Sequence, residues 1–123
     1  MAITQENKTL EYLRFKEGVT FMKIIKELSQ DIECALDHAE DCAKKAILYK
    51  SDYPTVAQRY YNTVDTYFEI IKNFHDEVTK LIADYRKTEG EPPAPMMAIY
   101  NYFHERYINK MAAVKTLQEL FKQ

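Results

Sequence analysis

The stretch FMKIIKELSQDIECALDHAEDCAKKAILY, residues 21–49, decides the fold. Its apolar side chains recur at alternating gaps of three and four residues, which is the spacing of one face of an α-helix. The positions in this stripe are Phe21, Ile25, Leu28, Ile32, Ala35, Ala39, Cys42, Ala46 and Tyr49. Because the stretch contains neither glycine nor proline, it predicts one long helix over about residues 19 to 50.

The same spacing returns twice after short breaks. KSDYPTV, residues 50–56, ends the first helix and begins another, since proline is tolerated in the first turn of a helix but not in its interior. In KTEGEPPAP, residues 87–95, Gly90 ends the second helix and Pro95 is suited to open the third. We therefore predict helices over about residues 53 to 88 and 95 to 122. The apolar stripe of the second runs from Ala57 to Tyr85 and includes Ile71 but not Ile70, and that of the third runs from Met97 to Phe121.

The first 17 residues follow a different helical phase. Extending the stripe backwards from Phe21 meets Gly18 and Arg14, whereas the local apolar residues are Leu10, Leu13 and Phe15. This slip predicts a short N-terminal helix over about residues 4 to 16, hinged at Gly18. A straight continuation of the first long helix is the alternative, because an isolated glycine costs a helix only about 1 kcal/mol.

Three long helices with short connections predict an all-α fold, an antiparallel up-down helical bundle in a single domain of residues 1–123. So slim a bundle has a limited core, and a homodimer or other homo-oligomer would bury more apolar surface. Ile24, Leu48, Ile99 and Tyr102 fall outside the main stripes. They are covered by a second molecule, covered by the short N-terminal helix, or simply scattered hydrophobic residues at the surface.

Composition argues against several classes of partner. The formal net charge of −2 and the scattered basic residues are unlike a nucleic-acid-binding surface, and no apolar run is long enough for a membrane span. The N-terminus lacks the basic start and apolar run of a secretory signal, so we expect a cytoplasmic protein. Cys34 and Cys42 lie about 12 Å apart along one predicted helix, beyond disulfide reach, so we expect free thiols.

His75 and His104 are the candidates for a metal site. Pairing residue 87 with residue 95 across the proline-rich loop brings the two histidines within about one helical turn of each other. Pairing residue 50 with residue 54 brings Asp31 to nearly the same height. Two imidazoles and a carboxylate suit Zn²⁺ or Fe²⁺, so a mononuclear metal site formed by these three residues is the alternative function. Histidines that pack at the edge of the core are the simpler interpretation.

Enzyme signatures are missing from the sequence. It contains only two glycines, which leaves no phosphate-binding loop and no Gly-x-Ser-x-Gly nucleophile turn. Glu-x-x-His and His-Glu-x-x-His are also absent, and these are the helical metal motifs of di-iron proteins and zinc proteases. We therefore expect a protein that is not an enzyme and has no cofactor.

Tyrosine is abundant, with ten residues in the chain. Tyrosine is enriched at protein interfaces because its ring gives contact area while its hydroxyl tolerates water. We predict partner-binding residues at Tyr60 and Tyr61 in the second long helix and at Ile99 and Tyr102 in the third. We interpret the chain as a self-associating protein–protein interaction module, a small helical adaptor, chaperone or regulator. The alternative is that the same tyrosines only fill the edges of the core.

The segment AIYNYFHERYI, residues 98–108, resembles the aromatic helix of flagellar export chaperones of the flagellin-binding type. That family consists of small helical bundles, so the resemblance implies a helical fold and a chaperone role. It covers eleven of the 123 residues, and too little sequence follows the segment for the last helices of that family.

Overall fold

The computed structural model contains three helices, α1 (Ala2–Tyr49), α2 (Pro54–Glu89) and α3 (Ala94–Lys122). It describes residues 20–123 in full, and within that range no strand is present, so the all-α prediction is confirmed. The bounds of α2 and α3 lie within one residue of those predicted. The predicted short helix over residues 4 to 16, together with its hinge at Gly18, lies outside the residues described in full.

The two connections follow from proline and glycine chemistry. Pro54 occupies the first turn of α2, where its missing N–H costs no helical hydrogen bond. The backbone N–H of Tyr53 donates to the carbonyl of Tyr49 at 2.8 Å, which closes a tight turn between α1 and α2. At the end of α2, Gly90 has a φ of 87°. This is the left-handed region that favours glycine, so the second connection depends on a residue without a Cβ.

Contacts between α1 and α2 connect rising residue numbers on one helix to falling numbers on the other. The aromatic pairs are Phe21–Tyr85, His38–Tyr67 and Tyr49–Tyr60, with ring centroids 4.7, 5.7 and 5.9 Å apart. Contacts between α1 and α3 instead rise together: Glu33 with Arg106, Asp37 with Lys110, and Lys50 with the carbonyl of Phe121. The backbones of α2 and α3 approach α1 closely, whereas long aromatic and histidine side chains span the wider gap between α2 and α3.

The core divides into two clusters. The larger contains Ile25, Ile32 and Leu36 of α1 with Ile71, Val78 and Ile82 of α2. The smaller gathers short side chains from all three helices, namely Ala39, Ala43, Val64 and Val114. Short side chains let helices approach closely, whereas bulky ones hold them apart. The sizes of the core side chains therefore favour the closest approach of the helices at the second cluster and a wider spacing toward the histidines.

Two buried positions lie beside the predicted stripes. Leu36 is buried on α1 although the prediction placed its neighbour Ala35 in the stripe, and both side chains contribute to the core. On α3 the buried methionine is Met96, while the predicted Met97 is only half-buried. The core-facing strip of α1 is therefore wider than a single three-four stripe, because this helix contacts both of the others.

Candidate functional site

The structure brings His75 of α2 and His104 of α3 together, as predicted by counting residues from the proline-rich loop. Their ring centroids are 5.6 Å apart and their planes are inclined by 29°. Tyr107 stacks on the His75 ring at 4.7 Å, and Tyr100 stacks on the His104 ring at 5.4 Å. The two imidazoles are thus part of a stack of four rings that spans the gap between α2 and α3.

A small, partly open pocket lies beside this stack where the three helices meet, with a cavity volume of about 20 Å³, enough for about one water molecule. Its apolar lining comes from Ile32 and Leu36 of α1, Val78 of α2 and Phe103 of α3. The buried hydroxyl residue Ser29 also lines it. The pocket therefore combines an apolar floor with a few polar groups, and its size suits an ordered water molecule.

One nitrogen of each histidine is shielded and unpaired. His75 Nε2 and His104 Nδ1 are both shielded from solvent, and neither has a hydrogen-bond partner among residues 20–123. A buried polar atom without a partner costs about 1–3 kcal/mol, so most such atoms in proteins are satisfied by another group or by water. Within residues 20–123, these two nitrogens are the buried side-chain polar atoms whose hydrogen-bonding capacity is unmet.

Two ion pairs border the pocket on the side between α1 and α3. Arg106 donates to Glu33, and Lys110 donates to Asp37. Glu33, Arg106 and Lys110 line the pocket, whereas Asp37 does not. The lining therefore carries two permanent positive charges and one negative charge before either histidine is protonated.

Burial lowers the pKa of His75 below its ordinary value of 6.5. The positive charge that His104 can acquire lowers it further, while the neighbouring carboxylate of Asp76 acts in the opposite direction. Burial also raises the pKa of the Tyr107 phenol above 10.0, with a further contribution from Asp76. The environment between α2 and α3 thus favours the neutral forms of both rings.

We expect the protein to lose stability as the pH falls below 6.5, the ordinary pKa of histidine. The folded pKa of His75 lies below its unfolded value of 6.5, so the unfolded chain binds more protons in the interval between the two. The contribution of neutral His75 to the free energy of unfolding is fully present above pH 6.5 and is lost as the pH falls through this interval. Urea unfolding followed by circular dichroism at several pH values measures the loss.

The matched variants are His75→Phe and His38→Phe. Phenylalanine keeps an aromatic ring but cannot be protonated, so His75→Phe should flatten the pH dependence. His38 stacks on Tyr67 at an exposed position away from the pocket, and its replacement should leave the pH dependence unchanged. An equal slope in the wild type and in His75→Phe would assign the pH dependence to other groups.

The third residue of the predicted metal set is not part of this pocket. Asp31 is exposed and does not line it, although its height on α1 matches the two histidines. Ser29 and Glu33 line the pocket instead, and Asp31 lies two residues from each, about 200° around the helix. Among residues 20–123, no three or more His, Cys, Asp and Glu side chains are grouped so that they could hold a metal ion.

The predicted partner-binding residues fall into two classes. Tyr60 contacts the Tyr49 ring and Tyr61 stacks on Phe121 at 4.5 Å, so both tyrosines help to hold the helices together. Tyr102 is exposed on α3, and Ile99 is half-buried one turn before it. Of the four residues, Tyr102 has the surface available to contact another molecule.

Sequence reasoning missed the polar lining of the pocket, namely Ser29, Glu33, Arg106 and Lys110. A detectable signal was present: Glu33 and Asp37 are four residues apart, as are Arg106 and Lys110. Two acids and two bases at equal helical spacing can pair across two helices that run in register.

Comparison with known proteins adds no relative. No protein-family model, no curated protein and no solved structure matches the chain. Within residues 20–123, no helix has both the length and the apolar character needed to cross a membrane.

Proposed function

We propose that this chain is a non-enzymatic, self-associating protein–protein interaction module, in which a face formed by α1 and α3 binds a second copy. The order of the helix contacts supports an up-down antiparallel bundle, with α1 and α3 parallel to each other and antiparallel to α2. The observation that carries the proposal is the exposure of large apolar side chains along the seam between α1 and α3.

Three of these side chains are related by their height along the bundle or by the face of the helix that they share. Lys50, directly after α1, contacts the carbonyl of Phe121 of α3, so Leu48 and Leu120 lie at nearly the same height. Leu48 is 70% exposed and Leu120 is 50% exposed. Tyr102 precedes Leu120 by eighteen residues, which is five full helical turns, so the two share a face of α3. We call Leu48, Tyr102 and Leu120, together with the half-buried Ile99 one turn before Tyr102, the α1/α3 face.

The ion pairs of the seam place charge on the same face. Asp37 and Leu48 are eleven residues apart, close to three turns, and Asp37 pairs with Lys110. Tyr102 is one turn before Arg106, which pairs with Glu33. At this seam, acidic residues therefore lie along α1 and basic residues lie along α3. A twofold axis parallel to the helices would place the acidic row of one copy opposite the basic row of the other.

Two features support a role without catalysis. Burial raises the pKa of the Cys42 thiol, and the neighbouring Asp41 carboxylate raises it further, so this cysteine is a poor nucleophile. Cys34 and Cys42 are free thiols, as expected for a protein of the reducing cytoplasm. An adaptor, chaperone or regulator would use the apolar side chains of the α1/α3 face for contact.

The test is the concentration dependence of molecular mass, measured by sedimentation velocity. We expect the wild type to self-associate and Leu120→Glu to shift the equilibrium toward monomer, because a buried unpaired charge at an interface is strongly unfavourable. Tyr102→Glu should act in the same direction. The helical circular dichroism signal should be unchanged in both variants, since both residues are exposed in the single chain.

Ile108→Glu is the matched control. Ile108 is 52% exposed on the same helix, nearly the same as Leu120, but it is twelve residues away and therefore on a different face. Its replacement should leave the mass distribution unchanged. A monomeric wild type at all concentrations, or equal effects of Leu120→Glu and Ile108→Glu, would refute the proposed face.

A further inference from the structure

The rings of His75 and His104 join α2 to α3 in the part of the bundle toward the proline-rich loop. Among residues 20–123, both ring contacts between α2 and α3 in this part involve His75, one with His104 at 5.6 Å and one with Tyr107 at 4.7 Å. At the opposite end of the same gap, Tyr61 stacks on Phe121. The two ends therefore differ chemically, since only the first is joined by side chains that titrate near neutral pH.

One nitrogen of each ring is closed off from water and from protein acceptors. His75 Nε2 and His104 Nδ1 are shielded and have no hydrogen-bond partner within residues 20–123. A neutral imidazole carries one proton and can hold it on the other nitrogen, whereas a protonated imidazole carries a proton on both. Protonation therefore turns each shielded nitrogen into a cationic donor without an acceptor, which is strongly unfavourable while the rings stay packed together.

The surrounding charges do not compensate for protonation of the rings. The titratable and charged groups that face the two rings or line the pocket beside them are Glu33 of α1, Asp76 of α2, and Tyr100, Arg106, Tyr107 and Lys110 of α3. Arg106 and Lys110 are positive, and Glu33 is already paired with Arg106. The exposed Asp76 favours a protonated His75, but burial and the charge of the second histidine outweigh it, since the pKa of His75 is lowered.

We propose that His75 and His104 form a pH-sensitive latch, which holds α2 and α3 together while both rings are neutral and opens this part of the gap when both are protonated. Opening exposes the shielded nitrogens to water, which accepts their hydrogen bonds, and it separates two positive charges. The core between α1 and α2 and the ion pairs between α1 and α3 remain, so the bundle opens locally before it unfolds. The latch is separate from the α1/α3 face and does not depend on self-association.

The test is NMR of the unmodified full chain, in which nuclear Overhauser effects between ring protons report each ring contact directly. As the pH falls below 6.5, the ordinary pKa of histidine, we expect the effect between His75 and Tyr107 to disappear together with the titration of the His75 ring in the same spectra. The effect between Tyr61 and Phe121 should remain, and so should the helical circular dichroism signal.

His104→Phe tests whether both charges drive the opening. Phenylalanine keeps the ring and removes one of the two protons, and each proton taken up changes the opening equilibrium by up to about tenfold per pH unit. Loss of the contact between His75 and Tyr107 should therefore need a lower pH in this variant and be less steep. His38→Phe is the control, because His38 contacts Tyr67 between α1 and α2, and it should open as the wild type does.

Three results would overturn the latch, and the first two need no variant. One is a contact between His75 and Tyr107 that persists after the His75 ring is protonated. Another is the loss of this contact only together with the contact between Tyr61 and Phe121 and the helical signal, because the whole bundle then unfolds at once. The third is a His104→Phe variant that opens at the same pH and with the same steepness as the wild type.

Discussion

Replacing Ile71 with alanine is expected to lower the free energy of unfolding by about 2–5 kcal/mol. Ile71 of α2 is 0% exposed and belongs to the larger core cluster, together with the isoleucines of α1. The truncation deletes three buried carbon atoms and their packing contacts. It leaves a cavity that long, rigid helices can close only in part. Urea unfolding monitored by circular dichroism at neutral pH measures the difference.

The neighbouring Ile70 provides a control with the same chemical change. Ile70 is 39% exposed, and one residue corresponds to a rotation of about 100° around the helix. Ile70→Ala should change stability by less than about 0.5 kcal/mol, as exposed substitutions usually do. Comparable losses for Ile70→Ala and Ile71→Ala would mean that α2 is rotated relative to the arrangement described above.

The contrast between these two isoleucines shows what the sequence could predict. The apolar spacing of α2 includes Ile71 and leaves out Ile70, and the structure buries the first and exposes the second. Such patterns are reliable because a long helix must bury one stripe, and the period of the stripe fixes the face. Proline and glycine then fix the ends, as at Pro54 and Gly90.

Height along the bundle was also predictable, because each residue of a helix rises about 1.5 Å and short loops hold the heights of neighbouring helices in register. This is why the approach of His75 to His104 follows from counting residues. The same counting placed Asp31 at the right height but could not give its direction. The direction depends on how far α1 is rotated about its axis, which is decided by the packing of side chains from two other helices.

Rotation also explains the remaining differences. On α3 the spacing fits Met97, yet the helix is turned so that Met96 is buried. The third helix contacts α1 closely and reaches α2 mainly through rings, so its apolar stripe is less sharply defined. The pocket depends on that rotation, which no local sequence pattern contains. The sequence indicates only the charged part of its lining, through the four-residue spacing of acids on α1 and of bases on α3.

A second large loss of stability is expected for Ala39→Leu, of about 1–3 kcal/mol. Ala39 is fully buried in the small cluster with Ala43, Val64 and Val114, where all three helices meet. Alanine and leucine are both strong helix formers, so helix propensity contributes little to the change. The added side chain has no space between closely approaching helices, and it must either adopt a strained rotamer or push α2 and α3 away from α1.

Ala113→Leu separates overpacking from any general effect of the larger side chain. Ala113 is exposed on α3, next to the buried Val114, so its replacement should leave stability nearly unchanged. Thermal and urea unfolding of the two variants should therefore diverge. If Ala39→Leu were as stable as Ala113→Leu, the helices could not be closest at the small cluster. The wider gap toward His75 and His104 would then need another cause than the size of the core side chains.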